Sequence, residues 1–370
     1  GDDHGPRGPM PLAHAKVVDE SGRVVAVTAE DGSFTIPDDG RGPRAVTIGL
    51  DGIYSGVTDE DSKDPAMSAR VTVAPGQTVK AVVNADGNDE ETDADVNAYV
   101  YSYKLFDWFK SFLGLQDARL YTPLEGGIHA NDTQMAGNAF YSPETDGFYL
   151  MRRATVKMQA RGKDGQPHPV SVTFENTAQP SIILHELGHR FIQMASRILL
   201  TPEQLADAAY RYVKRPMDPV VAGDANEAFA DMVSMFIRNN PIMGDGFIVN
   251  PAPGMPATIR TGENTTRYDA NDPRQNSDPH TRGEILMGSG WQSRAGLIER
   301  MGPVQGALYA AMLFVRTTLY VQPGGVVSAL SHALLADMAP DGSLPHGDVI
   351  RAAAAAHGVT LPEPAGVPNS

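Results

Sequence analysis

The stretch His185-Glu186-Leu187-Gly188-His189 constrains this chain more than any other five residues in it. On an α-helix each residue turns by about 100°, so positions four apart share a face and His185 and His189 can aim both imidazoles at one point. Paired imidazoles suit a metal ion. Catalytic sites of Zn²⁺ take three protein ligands and keep a fourth position for water. Glu186 stands beside the histidines and can accept a proton from that water, whose pKa zinc lowers from about 15.7 to roughly 7. The plain alternative is a helix whose histidines only satisfy hydrogen bonds in a core.

The surroundings favour a buried helix. Val170-Ser171-Val172-Thr173-Phe174 alternates like a strand, Asn176, Thr177 and Ser181 offer N-caps, and Ile182, Ile183 and Leu184 lead into the histidines. A third ligand must come from elsewhere, and Glu227 is the best candidate. It lies in Asp224-Ala225-Asn226-Glu227-Ala228-Phe229-Ala230-Asp231, where Asp224 can cap a helix and Glu227 and Asp231 share a face. A metal-bound imidazole needs an acceptor on its other ring nitrogen, which Asp231 is placed to supply. A solvated acidic helix face is the competing reading.

HELGH followed by NEAFAD resembles the glutamate-zincin metallopeptidases, whose thermolysin-like and fungalysin-like members carry HExxH and then NExxxD or ExxxD on the next helix. The resemblance implies His185, His189 and Glu227 as zinc ligands, Glu186 as general base, and Asn226 and Asp231 as partners of the histidines. The gap between His189 and Glu227 is longer than those families show, so an extra helix or loop is expected between Gln193 and Gly223. Asn138-Ala139-Phe140-Tyr141 is similar to the edge strand whose backbone pairs with extended peptide substrates in thermolysin-like enzymes, implying Asn138, Ala139 and Phe140 in substrate binding. Asp278-Pro279-His280-Thr281-Arg282-Gly283-Glu284 looks like the HxxGE segment of fungalysin-like proteins, which implies His280 as a hydrogen-bond donor to the tetrahedral intermediate. A loop histidine capping the next helix is its alternative. Ala307–Leu319, Gly325–Met338 and Gly347–His357, closed by Gly358, read as helices and resemble the helical lobe of these peptidases.

The N-terminal block differs. Lys16–Val18, Val24–Val27, Ser33–Ile36 and Arg70–Val73 are short strand-like runs separated by Ser21-Gly22 and Asp31-Gly32, as in a small β-sandwich. VVDESGRVVAVTAEDGSFTIP resembles the carboxypeptidase regulatory-like domain, a transthyretin-like module that carries no chemistry. The acidic run Asp86–Asp95 reads as a linker; its carboxylates could hold Ca²⁺, but their spacing is not an EF-hand loop. The expected fold is α+β: a β-sandwich over 1–85, the linker over 86–95, a catalytic lobe with a mixed sheet over 96–240, and a mostly helical lobe with His280 over 241–370. On this division a chain starting near Thr92 folds without the sandwich.

Composition narrows the partners. A formal charge of −15 argues against nucleic acid and anionic membranes, and the longest uninterrupted apolar run, Ala307–Val315, is too short for a transmembrane segment. With no Cys there is no thiol nucleophile and no disulfide. The start at Gly1 with GDDHGPRGP fits a processed N-terminus, hence a secreted or cell-envelope protein, a lipoprotein included; an artificial start is the plain alternative. The sequence thus points to a zinc-dependent peptidase acting on polypeptides. A zincin-fold envelope protein that only binds a partner is the second reading.

Overall fold

Strand register, more than helix packing, decides how the first half of this chain is organised. In the computed structural model, which describes residues 8–59, 67–84, 90–128, 137–161, 166–199, 223–251 and 255–361, two compact units are present. The first gathers Gly1–Asp107, Tyr121–Ile183 and Asp245–Ala257; the second gathers Trp108–Leu120, Leu184–Gly244 and Thr258–Ser370. The units are interleaved along the chain, unlike the consecutive segments expected from composition.

In the first unit β1 (Ala15–Asp19) and β2 (Val24–Val27) form a hairpin. Asp19 Oδ1 accepts from the backbone N–H groups of Ser21 and Arg23, and Gly22 takes φ +79°, which an L side chain resists. β3 (Arg44–Gly52) alternates strictly, turning Val46, Ile48 and Leu50 into the core. β4 (Ser55–Asp59) and β5 (Ser68–Val73) follow. The expected strand Ser33–Ile36 has no ladder. Pro37 has no N–H to donate and restricts the residue before it, so this run is a poor ladder member.

The acidic run is not linker throughout, because Glu90 opens α1 (Glu90–Asp107) and Asp93 and Asp95 lie in its first turns; residues 85–89 fall outside those described. Asp93 Oδ1 accepts from Asn84 Nδ2 at 3.0 Å. The helix buries Ala98, Tyr99, Val100, Leu105 and Phe106. Tyr99 Oη donates to the Ala13 carbonyl at 2.9 Å and Tyr103 Oη to that of Pro11 at 2.7 Å, which fastens the segment leading into β1 to the helix.

Five more strands complete the unit: β6 (Leu124–Ile128), β7 (Ala139–Ser142), β8 (Gly147–Leu150), β9 (Ala154–Arg161) and β10 (Pro167–Phe174). One eight-stranded sheet runs β2-β1-β3-β4-β6-β8-β7 with β5 on β3, while β9 and β10 pair as a separate hairpin. β4 pairs with β6 in parallel from Ser55↔Leu124 to Asp59↔Ile128. The N-terminal strands therefore share a sheet with the strands that follow α1, with no seam near residue 85.

The second unit is mostly helical. Its helices are α2 (Pro180–Leu199), counted from Leu184, and α3 (Gly223–Arg238); residues 200–222, where an extra helix or loop was expected, lie outside the description. β11 (Ile242–Met243) and β12 (Arg260–Thr261) make a two-residue ladder after α3. Then come α4 (Pro273–Ser277) and the central α5 (Pro279–Met301), N-capped by Asp278 with Pro279 at its first position. α6 (Pro303–Ala311), a π-helical turn over Met312–Arg316 and α7 (Thr317–Val321) form one helical run, followed by α8 (Val326–Ala336) and α9 (Gly347–Ala356). By length and composition Pro303–Val321 could cross a membrane, beyond the nine apolar residues read from sequence; Ala310, Ala311, Leu313, Phe314 and Val315 are buried in the unit core. α5 packs on α3, α6, α8 and α9.

Candidate metal centre and active site

The apolar periodicity of α2 buries Leu184, Leu187, Phe191, Ile192 and Ala195, which fixes the helix about its axis and sets the direction of the histidines. Pro180 opens the helix, where a missing N–H is harmless, and Asn176 Oδ1 accepts from Ala178 N in the turn before it. At Gly188 a Cβ would lie 2.8 Å from Ala230 Cα, so α2 and α3 touch backbone to backbone at this point. That contact sets Glu227 opposite the two imidazoles.

His185 Nε2 and His189 Nε2 are 3.0 Å apart, and Glu227 Oε2 lies 3.3 Å from the first and 3.6 Å from the second. Ligand atoms about 2.05 Å from a tetrahedral zinc would be ~3.3 Å from one another. The three edges of this triangle fit that size. Glu227 Oε2 is buried and makes no aligned hydrogen bond, a costly state for a carboxylate oxygen unless a cation joins it. Among the described residues this is the one group of His, Asp and Glu with metal-ligand spacing.

The outer nitrogens are held as well. His189 Nδ1 donates to Asn226 Oδ1 at 2.9 Å, which leaves the lone pair on Nε2. Asp231 Oδ1 lies 2.8 Å from His185 Nδ1, a hydrogen-bond separation with the ring N–H turned off the ideal line. Glu186 is buried between the histidines in sequence. His280, half exposed in the first turn of α5, places Nε2 3.3 Å from Glu227 Oε2 while Asp278 Oδ1 sits 3.1 Å from its Nδ1.

Sequence reasoning missed Arg260. Its Nε donates to Asp231 Oδ2 at 2.6 Å and its Nη2 to Oδ1 at 2.9 Å, with Glu227 Oε2 3.9 Å away. β12 is too short for a periodic signal; the available clue was chemical, since two buried acids on one helix face demand a cation. Asp278 was quoted in its motif without a role.

Charges follow from this packing. Burial pushes the His185 imidazole toward neutrality, but the charge of Asp231 and the contact with Glu227 outweigh it and hold its pKa up at about 10 without metal. Burial raises Glu227 and Asp231, yet the imidazoles around Glu227, and Arg260 and His185 around Asp231, keep both well below the usual carboxylate range. Burial works against the charge of Arg260, and Asp231, Glu227 and Glu186 overcome it.

Three further predicted residues belong to the first unit. Ala139 and Phe140 lie on β7, the last strand of the sheet among the described residues, with Asn138 just before it. Phe140 stacks on Tyr149 with ring centroids 4.9 Å apart. Glu284, the glutamate of the motif around His280, accepts from Thr266 Oγ1 at 2.6 Å.

No protein-family model and no curated protein sequence matches the chain. Among solved structures it is similar to the precursor of protealysin, a metalloproteinase from Serratia proteamaculans, with a TM-score of 0.52, 14% identity, and coverage of 83% of this chain and 87% of that one. The chain thus has an α+β fold like that of a metalloproteinase precursor, and within it His185, His189 and Glu227 form a cluster compatible with zinc.

Proposed function

We propose that this chain is a zinc-dependent peptidase of the glutamate-zincin kind that cleaves within polypeptides. The observation that carries the reading is the triangle of His185 Nε2, His189 Nε2 and Glu227 Oε2, with Asp231 and Asn226 on the outer ring nitrogens. Zinc held there would supply a Lewis acid for a peptide carbonyl and a water acidified to a pKa of roughly 7. Glu186 would be the general base beside that metal, taking a proton from water and handing it to the leaving amine. Asn226 and Asp231 fix the two imidazoles, and Arg260 keeps the Asp231 carboxylate charged and in place. With Asp278 beside Nδ1, His280 turns Nε2 toward the cluster, 3.3 Å from Glu227 Oε2, where its N–H would donate toward negative charge developing on the carbonyl oxygen. The edge strand β7, with Asn138, Ala139 and Phe140, is assigned to pairing with extended substrate on the motif resemblance. Ala139→Pro, which removes an N–H, tests that assignment by a loss of peptide turnover at unchanged zinc content.

The decisive experiment is digestion of a denatured protein mixture by the zinc-loaded protein, with cleavage sites read by mass spectrometry. Cleavage N-terminal to apolar residues, stopped by a chelator and by Glu186→Gln, is expected. One bound zinc with no chelator-sensitive cleavage would replace this reading with that of a binding module.

A further inference from the structure

Arg260 reaches the metal-site carboxylates from β12, two residues that cannot fix a long side chain alone. One flank of β12 is held by β11 through Ile242↔Thr261 and Met243↔Arg260. The other flank runs into 262–268, which has no ladder or helix, and here half-buried polar side chains gather beside the buried His357. Asn264 Nδ2 donates to the carbonyls of Thr261 and Glu284, each at 3.0 Å. Its Oδ1 accepts from Thr266 N at 3.0 Å, and Thr266 Oγ1 donates to Glu284 Oε2 at 2.6 Å. The Thr266 carbonyl then accepts from His357 Nδ1 at 2.7 Å, and Tyr268 N donates to the His357 carbonyl at 2.8 Å. His357 is fully buried where it ends α9.

Packing leaves this network no slack. A Cβ on Gly288 of α5 would lie 2.7 Å from His357 Nε2 and 2.9 Å from Asn264 Nδ2. On Gly262 it would lie 2.8 Å from Met235 Sδ and 3.0 Å from Trp291 Cβ. An exposed loop of Glu, Asn and Thr is ordinarily mobile, and connected, partly buried hydrogen bonds suppress that motion. Nε2 of His357 lies beside Gly288 with no hydrogen-bond partner of its own, so Nδ1 makes the ring's one bond, to the Thr266 carbonyl.

We propose that Asn264, Thr266, Glu284 and His357 form a brace that positions Arg260, so that the C-terminal end of α9 governs the charge balance at the metal site. The effect on zinc rests on the zinc-peptidase reading above; the coupling to Arg260 does not. When the brace is cut, Arg260 loses its fixed approach to Asp231, and Asp231 loses its hold on His185 Nδ1. His357 is a positioning residue.

The test uses His357→Leu, His357→Asn, Thr266→Val and Arg260→Leu in the full chain, with doubles pairing each brace variant and Arg260→Leu. His357→Leu and Thr266→Val should weaken zinc binding about tenfold, the lower end for loss of a ligand's outer partner. His357→Asn, whose amide can donate in place of Nδ1, should recover most of it. Zinc binding in the doubles should be no weaker than in Arg260→Leu alone, since the brace acts through that side chain. Losses that add, or wild-type affinity in folded Thr266→Val, overturn the proposal. Urea unfolding of the metal-free proteins should show the same non-additivity, so a chain that bound no zinc would refute the zinc reading while the unfolding cycle still judged the brace. Should His357→Leu not fold, Thr266→Val, which removes one hydroxyl, carries both cycles.

Discussion

Arg260 holds both oxygens of Asp231, at 2.6 and 2.9 Å, and the same carboxylate lies 2.8 Å from His185 Nδ1. A buried arginine thus stands directly behind a candidate metal ligand, with one acid between them. Removing that acid strands a buried guanidinium. Asp231→Ala should lower the stability of the metal-free protein by about 3 to 5 kcal/mol and weaken zinc binding about 10- to 100-fold. Urea unfolding and competition with a chromophoric chelator measure the two effects; a variant as stable as wild type would mean that the pair is solvated.

Glu227→Ala should abolish stoichiometric zinc, because only two imidazoles would remain of three protein ligands. Glu186→Gln should retain one zinc per chain while peptide hydrolysis disappears. Elemental analysis beside a peptide assay separates the two variants, and loss of metal in Glu186→Gln would make Glu186 a ligand.

Gly188→Ala drives a methyl group against Ala230 Cα at 2.8 Å, backbone that cannot swing aside. The two helices must part, with an expected cost of about 1 to 3 kcal/mol from overpacking. Widening the triangle should also weaken zinc binding. A thermal melt and a zinc titration read these effects, and an unshifted melt would show that α2 and α3 separate freely at this crossing.

His357 carries a pH dependence. Its folded pKa lies below the ordinary 6.5, because burial disfavours the charged ring and Arg267 adds to that, against a hydrogen bond to Thr266. The unfolded chain therefore takes up a proton that the folded chain refuses. Stability is fully present above about pH 6.5 and declines as pH falls from there toward the folded pKa. Relative to His357→Gln, the wild type should lose stability more steeply between pH 7 and 5. Parallel curves over that range would show that the ring is protonated without penalty.

Deleting residues 1–76 removes β1 to β5, strips Tyr99 and Tyr103 of their carbonyl acceptors, and opens the β4 side of β6. That truncation should be insoluble or molten, against the separate sandwich expected from composition. A folded, monomeric truncation by circular dichroism and gel filtration would restore the idea of an independent N-terminal module.

The site was legible where one helix carries its own spacing. His185 and His189 are four apart, Asn226, Glu227 and Asp231 share another helix, and each pattern can be drawn without knowing the rest of the fold. Arg260 was not legible, because its meaning comes from the reach of its side chain from β12 to Asp231 on α3, which no local period encodes. The same holds for the sheet. β1, β2 and β5 announced themselves by short valine-rich runs between turns, whereas β4, Ser55-Gly56-Val57-Thr58-Asp59, has little apolar content and owes its state to pairing with β6. Ser33–Ile36 shows the reverse case, a good local strand pattern without a partner.

The parallel pairing of β4 with β6 also has a consequence in time. β4 ends at Asp59 and β6 begins at Leu124, and a ribosome adding about 5 to 20 residues per second takes several seconds to make what lies between. Throughout that interval Ser55–Asp59 lacks the partner that makes it a strand, and its backbone groups on that side are open to another nascent chain on the same message. Slower translation of this stretch should lengthen the exposure and raise the fraction of chains lost to aggregation, without changing a residue of the mature protein.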